Sequence, residues 1–235
     1  MEPKLAPQRQ LTIKVDDAGH TVSALLLVPD RPIACLVLAH GAGAGMAHPF
    51  MAAIASGLHD RGVATLRYQF PYMERGSRRP DRPIVAQQTV RAAVAEATGR
   101  LPGCPLFAGG KSFGGRMTSL AQAASPLPSI RGLVFLGFPL HPAGKPGKDR
   151  AVHLFEVQIP LLFLQGTRDA LADENLVREV AGELGEKATL MMLAGADHSF
   201  HVPARSGHTD STVRGIMLDA AAQWIASQTA CSKRQ

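Results

Sequence analysis

Along this chain, short runs of apolar and β-branched residues alternate with longer stretches in which apolar positions recur every three or four residues. A run of the first kind suits a strand buried on both faces, and a stretch of the second kind suits a helix covering one of them. The pattern predicts eight strands: Leu11–Val15, Thr21–Val28, Ile33–Ala39, Val63–Tyr68, Pro105–Ala108, Gly132–Phe138, Pro160–Gln165 and Ala188–Leu193. The turn Asp16-Asp17-Ala18-Gly19 joins the first two as a hairpin. Helical stripes fall between the later strands at Phe50, Met51, Ile54 and Leu58, at Val90, Val94, Ala97 and Leu101, at Met117, Leu120, Ala121 and Ala124, and at Leu176, Val177, Val180 and Leu184. A last stripe, Val213, Ile216, Met217, Ala220, Trp224 and Ile225, starts near Ser211 as its cap. Strands alternating with cover helices make an α/β class: an eight-stranded, mostly parallel sheet with helices on both faces. Two Pro- and Arg-rich stretches, Phe70–Pro83 and Leu140–Arg150, read as loops.

At 235 residues, 46% of them hydrophobic and 19% charged, the chain can build one sizeable core, and no polar linker divides it. A single domain over 1–235 is expected, with residues 1–10 and 229–235 frayed because they are polar and lack periodicity. The longest apolar run, Ile33–Ala39, is far too short for a membrane span, so a soluble cytoplasmic protein is expected. Cys35, Cys104 and Cys231 are too few and too scattered for a disulfide framework, and the first two read as core positions beside strands. The net charge of +6 is dispersed, with Arg75, Arg78, Arg79 and Arg82 interleaved with Glu74 and Asp81. Without a basic stripe or an aromatic stacking platform, neither nucleic acid nor membrane is an expected partner. A small-molecule substrate is; association into a homo-oligomer is left open.

One segment carries chemistry. Gly110, Ser112 and Gly114 form G-x-S-x-G directly after one predicted strand and directly before the helical stripe that begins at Met117. A sharp strand-to-helix turn crowds the backbone, so glycines on both sides let it close while the serine hydroxyl projects from the sheet end. The Phe113 N–H would then sit at a helix N-terminus, suited to a developing oxyanion. The string Gly110-Lys111-Ser112 also imitates the end of a phosphate-binding loop, but Pro105 stands where that loop needs its first glycine.

A serine hydroxyl is a weak nucleophile without a base, and after such a turn the acid and the histidine follow in that order, each beyond a later strand. Asp169 in Gly166-Thr167-Arg168-Asp169 and His198 in Gly195-Ala196-Asp197-His198 satisfy both requirements. Asp173 and Glu174 read instead as carboxylates opening the next helix, and Asp197 is too near His198 in sequence to orient it. His198, His201 and His208 lie in a Ser/Pro/Gly loop that gives no fixed metal geometry, so no metal and no cofactor are expected. After the strand Ile33–Ala39, the turn His40-Gly41-Ala42-Gly43-Ala44-Gly45 can bring the Ala42 N–H to the same oxyanion, with His40 holding the loop through a ring hydrogen bond. Lys111, placed at the rim, and Tyr72 and Met73 of the Phe70–Pro83 loop are candidate substrate contacts.

These segments together resemble the α/β-hydrolase superfamily, and within it the dienelactone-hydrolase-like branch with its NSL-complex-subunit-type proteins and bacterial hydrolases. The likeness rests on His40-Gly41-Ala42-Gly43, on Gly109-Gly110-Lys111-Ser112-Phe113-Gly114-Gly115-Arg116, on Gly137-Phe138-Pro139-Leu140-His141-Pro142 with Gly144-Lys145-Pro146, and on Leu164-Gln165-Gly166-Thr167-Arg168-Asp169. The resemblance implies a nucleophile at Ser112, an acid at Asp169, a base at His198 and oxyanion donors at Ala42 and Phe113. Dienelactone hydrolases carry cysteine where this chain has Ser112, so their lactone substrate is not implied. A serine esterase or acyl hydrolase is; the alternative that the branch suggests is a hydrolase-shaped scaffold with little activity. The 21 residues Pro139–Ile159, where many such enzymes insert a cap, are too few and too rich in Pro and Gly for a cap domain. An open site walled by that loop and by Phe70–Pro83 is expected, suited to short acyl groups.

Overall fold

The computed structural model describes residues 8–231. Its strands are β1 (Arg9–Lys14), β2 (Thr21–Leu27), β3 (Ala34–Ala39), β4 (Val63–Tyr68), β5 (Leu106–Lys111), β6 (Ile130–Leu136), β7 (Leu161–Gly166) and β8 (Ala188–Leu193). Its helices are α1 (Pro49–His59), α2 (Pro71–Glu74), α3 (Pro83–Arg100), α4 (Phe113–Ala124), α5 (Glu174–Leu184) and α6 (Asp210–Cys231). The strands form one sheet in the order β1-β2-β4-β3-β5-β6-β7-β8. The β1–β2 and β2–β4 pairs are antiparallel; every pair from β4 to β8 is parallel. Among the described residues no helix is long and apolar enough to cross a membrane.

Side chains of β3 alternate between two apolar layers, which is why its sequence is apolar without interruption. Cys35, Val37 and Ala39 belong to one buried layer with Val90 of α3, Met117 of α4 and Val177 of α5, whereas Leu36 and Leu38 belong to the other with Met51 and Ile54 of α1 and Met217 and Trp224 of α6. Truncating a fully buried leucine such as Leu36 to Ala would cost about 2–5 kcal/mol. Two positions without side chains bring α6 close. A Cβ on Gly57 would lie 2.3 Å from Leu218, and one on Gly132 would lie 2.6 Å from the Trp224 ring.

Several expected boundaries move. β5 runs past Ala108 through Gly109 and Gly110 to Lys111, because these bare positions pair with β3 on one side and β6 on the other. Arg9 and Gln10 belong to β1, and α6 continues to Cys231, so these parts of the ends are ordered; the fraying expected for 1–7 and 232–235 falls outside the described residues. α6 begins at Asp210, with the Thr209 hydroxyl accepting from the Thr212 N–H as its cap in place of Ser211. Ile216, assigned to the buried stripe, is 39% exposed. Phe70–Pro83 contains the one-turn helix α2, and Leu140–Arg150 leads into a 3-10 segment, Asp149–Glu156, whose Ala151 and Leu154 are buried in the α4-side core. Both segments are too short to show a helical period. Because β3 and β5 to β8 run parallel, the loops that follow them all emerge at one edge of the sheet.

Candidate active site

At that edge β5 turns into α4 at Ser112, whose backbone has φ 48° and ψ −113°, a conformation that an L-residue rarely adopts. The glycines make this turn possible. A Cβ on Gly110 would lie 2.3 Å from the Ala39 carbonyl oxygen, one on Gly114 2.6 Å from that of His40, and one on Gly115 2.8 Å from that of Gly110. The Ser112 N–H donates to the Leu136 carbonyl at 3.1 Å, and its hydroxyl points away from the sheet end toward His198.

Ser112 Oγ lies 2.9 Å from His198 Nε2, and His198 Nδ1 lies 2.7 Å from Asp169 Oδ2. Asp169 is out of water: its side chain has 0% exposure, while that of His198 has 24%. The carboxylate also accepts from Gln165 Nε2 at 2.6 Å and from the Leu171 N–H at 2.8 Å, which fixes the oxygen that faces the imidazole. The rival carboxylates are engaged elsewhere. Asp173 caps α5 by accepting from the N–H groups of Asn175 and Leu176, and Asp197 accepts from those of Ser199 and His201. His201 turns to Asp210, and among the described residues no three His, Cys, Asp or Glu side chains converge as a metal site would require.

The family model described as "Alpha/beta hydrolase domain" matches residues 32–226. The chain belongs to the alpha/beta hydrolase family. Solved structures agree in fold at low identity. The dienelactone hydrolase of Anabaena variabilis ATCC 29413 is 17% identical, with 94% of this chain and 97% of that one covered at a TM-score of 0.73. XC6422 of Xanthomonas campestris, described as an a/b serine hydrolase without lid, is 21% identical, with 94% and 98% covered at 0.71. Est1E of Butyrivibrio proteoclasticus is 17% identical, with 94% and 99% covered at 0.67.

In this member of the family a cavity of about 440 Å³ opens beside Ser112, walled by Ala42, Ala44, Phe50, Met51 and Leu171 with His48 and Ser199 at more polar points. The walls come from the loop after β3, the start of α1 and the loop after β7. Neither Phe70–Pro83 nor Pro139–Ile159 lines it, contrary to expectation, because each packs back onto the body of the fold. Tyr72 and Met73, the candidate substrate contacts, therefore do not border this cavity. Tyr72 is fully buried and its hydroxyl accepts from the Gly43 N–H at 3.2 Å, while Met73 packs against the core. Lys111 lines the cavity, but its amino group is buried and not at the rim.

Ala42 stands on a loop held from below by residues that the sequence pattern did not mark. Arg67 of β4, buried in spite of its charge, donates to the Met46 carbonyl at 2.9 Å and also to Gln8, and the Gln69 side chain accepts from the Met46 N–H at 2.8 Å. His40 does hold the loop through its ring, as expected: Nε2 accepts from the Phe70 N–H at 3.0 Å and Nδ1 lies 2.8 Å from the Gly41 carbonyl. Burial holds its pKa below the ordinary imidazole range. The N–H groups of Ala42 and Phe113 have no hydrogen-bond acceptor among the described residues. His141 is buried, and its Nε2 accepts from the Asp173 N–H at 2.9 Å, tying the loop after β6 to the start of α5.

Proposed function

We propose that this chain is a serine hydrolase that cleaves a small ester or related acyl bond, with Ser112 as nucleophile, His198 as base and acid, and Asp169 as the carboxylate that orients the imidazole. The observation that carries the reading is the unbroken line of two short hydrogen bonds from Ser112 through His198 to a carboxylate shielded from water. Asp169 accepts a hydrogen bond from the Nδ1–H, which holds the proton on Nδ1 and leaves Nε2 able to accept from the Ser112 hydroxyl. As Oγ attacks the substrate carbonyl, that proton passes to Nε2 and the imidazolium is stabilised by Asp169. The carbonyl oxygen becomes an oxyanion beside the free N–H groups of Ala42 and Phe113, the kind of donor whose loss costs roughly 10²–10³ in kcat. The tetrahedral adduct collapses, the Nε2 proton goes to the leaving alcohol, and the acyl group remains on Ser112. Water then gives its proton to Nε2 and attacks the acyl-enzyme, and the carboxylic acid departs as Ser112 recovers its proton.

The cavity supports a small substrate. Its 440 Å³ falls at the lower end of small-molecule sites, roughly 300–1,000 Å³, and its walls are mainly apolar. Wild-type protein is expected to hydrolyse p-nitrophenyl acetate above the buffer rate, and Ser112→Ala to remove that activity. Full activity in Ser112→Ala would contradict the reading, and no activity in either protein would favour a hydrolase-shaped scaffold.

A further inference from the structure

The amino group of Lys111 has no part in the acyl transfer just described, yet it borders the same small space as the base, beside Gly137. Its Nζ is buried and has no hydrogen-bond partner among the described residues. It lies 5.4 Å from the centre of the Phe200 ring, which itself stacks on Phe50. A Cβ on Gly137 would be 3.2 Å from Nζ and 3.6 Å from both Cε1 and Nδ1 of His198. The amine and the Nδ1–Cε1 edge of the imidazole therefore border one small space, kept open because position 137 bears no side chain. The charged and titratable groups facing the amine are few. The carboxylates of Asp169, after β7, and Asp197, after β8, attract its charge, and the His198 ring lies beside it. From the β3 side, Gly41 meets only the lysine stem, and the His40 ring is committed to Gly41 and Phe70. On the β8 loop His201 is turned to Asp210.

A buried cation without a hydrogen-bond partner is costly, and a methionine of similar shape would fill the same space without that cost. We propose that Lys111 is a positioning residue for the base, its amino group setting how readily the His198–Asp169 pair takes up the proton that Ser112 releases. The proposal rests on the acyl-transfer reading above. While Lys111 is charged, an imidazolium must form beside a second cation in a site poor in water, where like charges repel strongly. That charge opposes the transfer of the Ser112 proton to His198. Burial pushes the amine down to about 8, so the opposing charge disappears within the working range.

Two measurements test this. The kcat/KM of wild type for phenyl acetate, followed by pH-stat, is expected to show an acid limb and a further rise of about threefold or more near pH 8. Lys111→Met keeps the stem and removes the charge; its profile is expected to lose the second rise, and its acid limb to move up by about half a pH unit or more. Superimposable profiles would overturn the proposal. Nitrogen-15 resonances of the His198 ring in histidine-labelled wild type provide a reading that needs neither turnover nor a folded variant: an inflection near pH 8 supports the coupling, and its absence refutes it. If wild type fails to hydrolyse the ester while that inflection is present, the acyl-transfer reading fails and the coupling stands.

Discussion

At the scale of single residues, the distinction between Asp169 and Asp173 is a matter of what each carboxylate touches. Asp169 meets the imidazole, and Asp173 meets only the N–H groups that open α5. Asp169→Asn would put an amide against Nδ1 and favour the tautomer in which Nε2 bears the proton and cannot accept from Ser112. A loss on the order of 10⁴ in kcat is expected, by analogy with the serine-protease triad. Asp173→Asn should leave both kcat and stability nearly unchanged, because asparagine caps a helix as well as aspartate does. Steady-state kinetics on the two variants checks the assignment, and reversed effects would show that the carboxylates had been wrongly ranked. Ser112, Asp169 and His198 were legible in the sequence because each follows a strand, β5, β7 and β8, at the same sheet edge and the flanking glycines announce the turn. Arg67, Gln69 and Gln165 were not. Each lies within or just beyond a strand, and whether its polar end faces water or the underside of a loop depends on contacts made across the sheet.

At the scale of elements, the eight strands and their two-layer cover were legible because buried parallel strands and amphipathic helices leave different periods in the sequence. The short elements were not, since α2 and the 3-10 segment Asp149–Glu156 span too few residues to display a period. Their placement bears on substrate choice. The 3-10 segment is tied to α4, with His153 Nε2 2.7 Å from the Ser119 hydroxyl, so it braces the helix behind Ser112 and does not roof the cavity. Without a roof, each acyl methylene beyond the cavity stays in water and forfeits about 0.8 kcal/mol. Across p-nitrophenyl esters of increasing acyl length, kcat/KM is therefore expected to be highest for short chains and to show no activation at a lipid interface. A steady gain out to long chains would mean that an apolar cover forms over Phe50, Met51 and Leu171.

At the scale of the whole molecule, two buried bases make stability depend on pH in a defined sense. Burial and the nearby Arg116 push His153 down to about 4, from an ordinary 6.5, and burial pushes Lys111 down to about 8, from 10.5. In each interval the unfolded chain binds a proton that the folded chain does not, so stability rises with pH from about 4 to 6.5 and again from about 8 to 9, above which the thiol of Cys35 and then the phenol of Tyr68, both held protonated by burial, oppose the rise. Denaturant unfolding across pH should show both slopes. His153→Gln is expected to reduce the acid one, to which His40 also contributes, and Lys111→Met to remove the alkaline one while gaining on the order of 3 kcal/mol below it. Unchanged slopes in these variants would mean that the two side chains are better solvated than their packing indicates. The central claim, that the strained turn at the sheet edge presents an activated serine, is tested most directly by covalent capture. A fluorophosphonate incubated with the purified protein, followed by peptide mass spectrometry, should add one phosphonyl group at Ser112 in wild type, far more slowly in His198→Ala and not at all in Ser112→Ala; an unmodified wild-type Ser112 would contradict it.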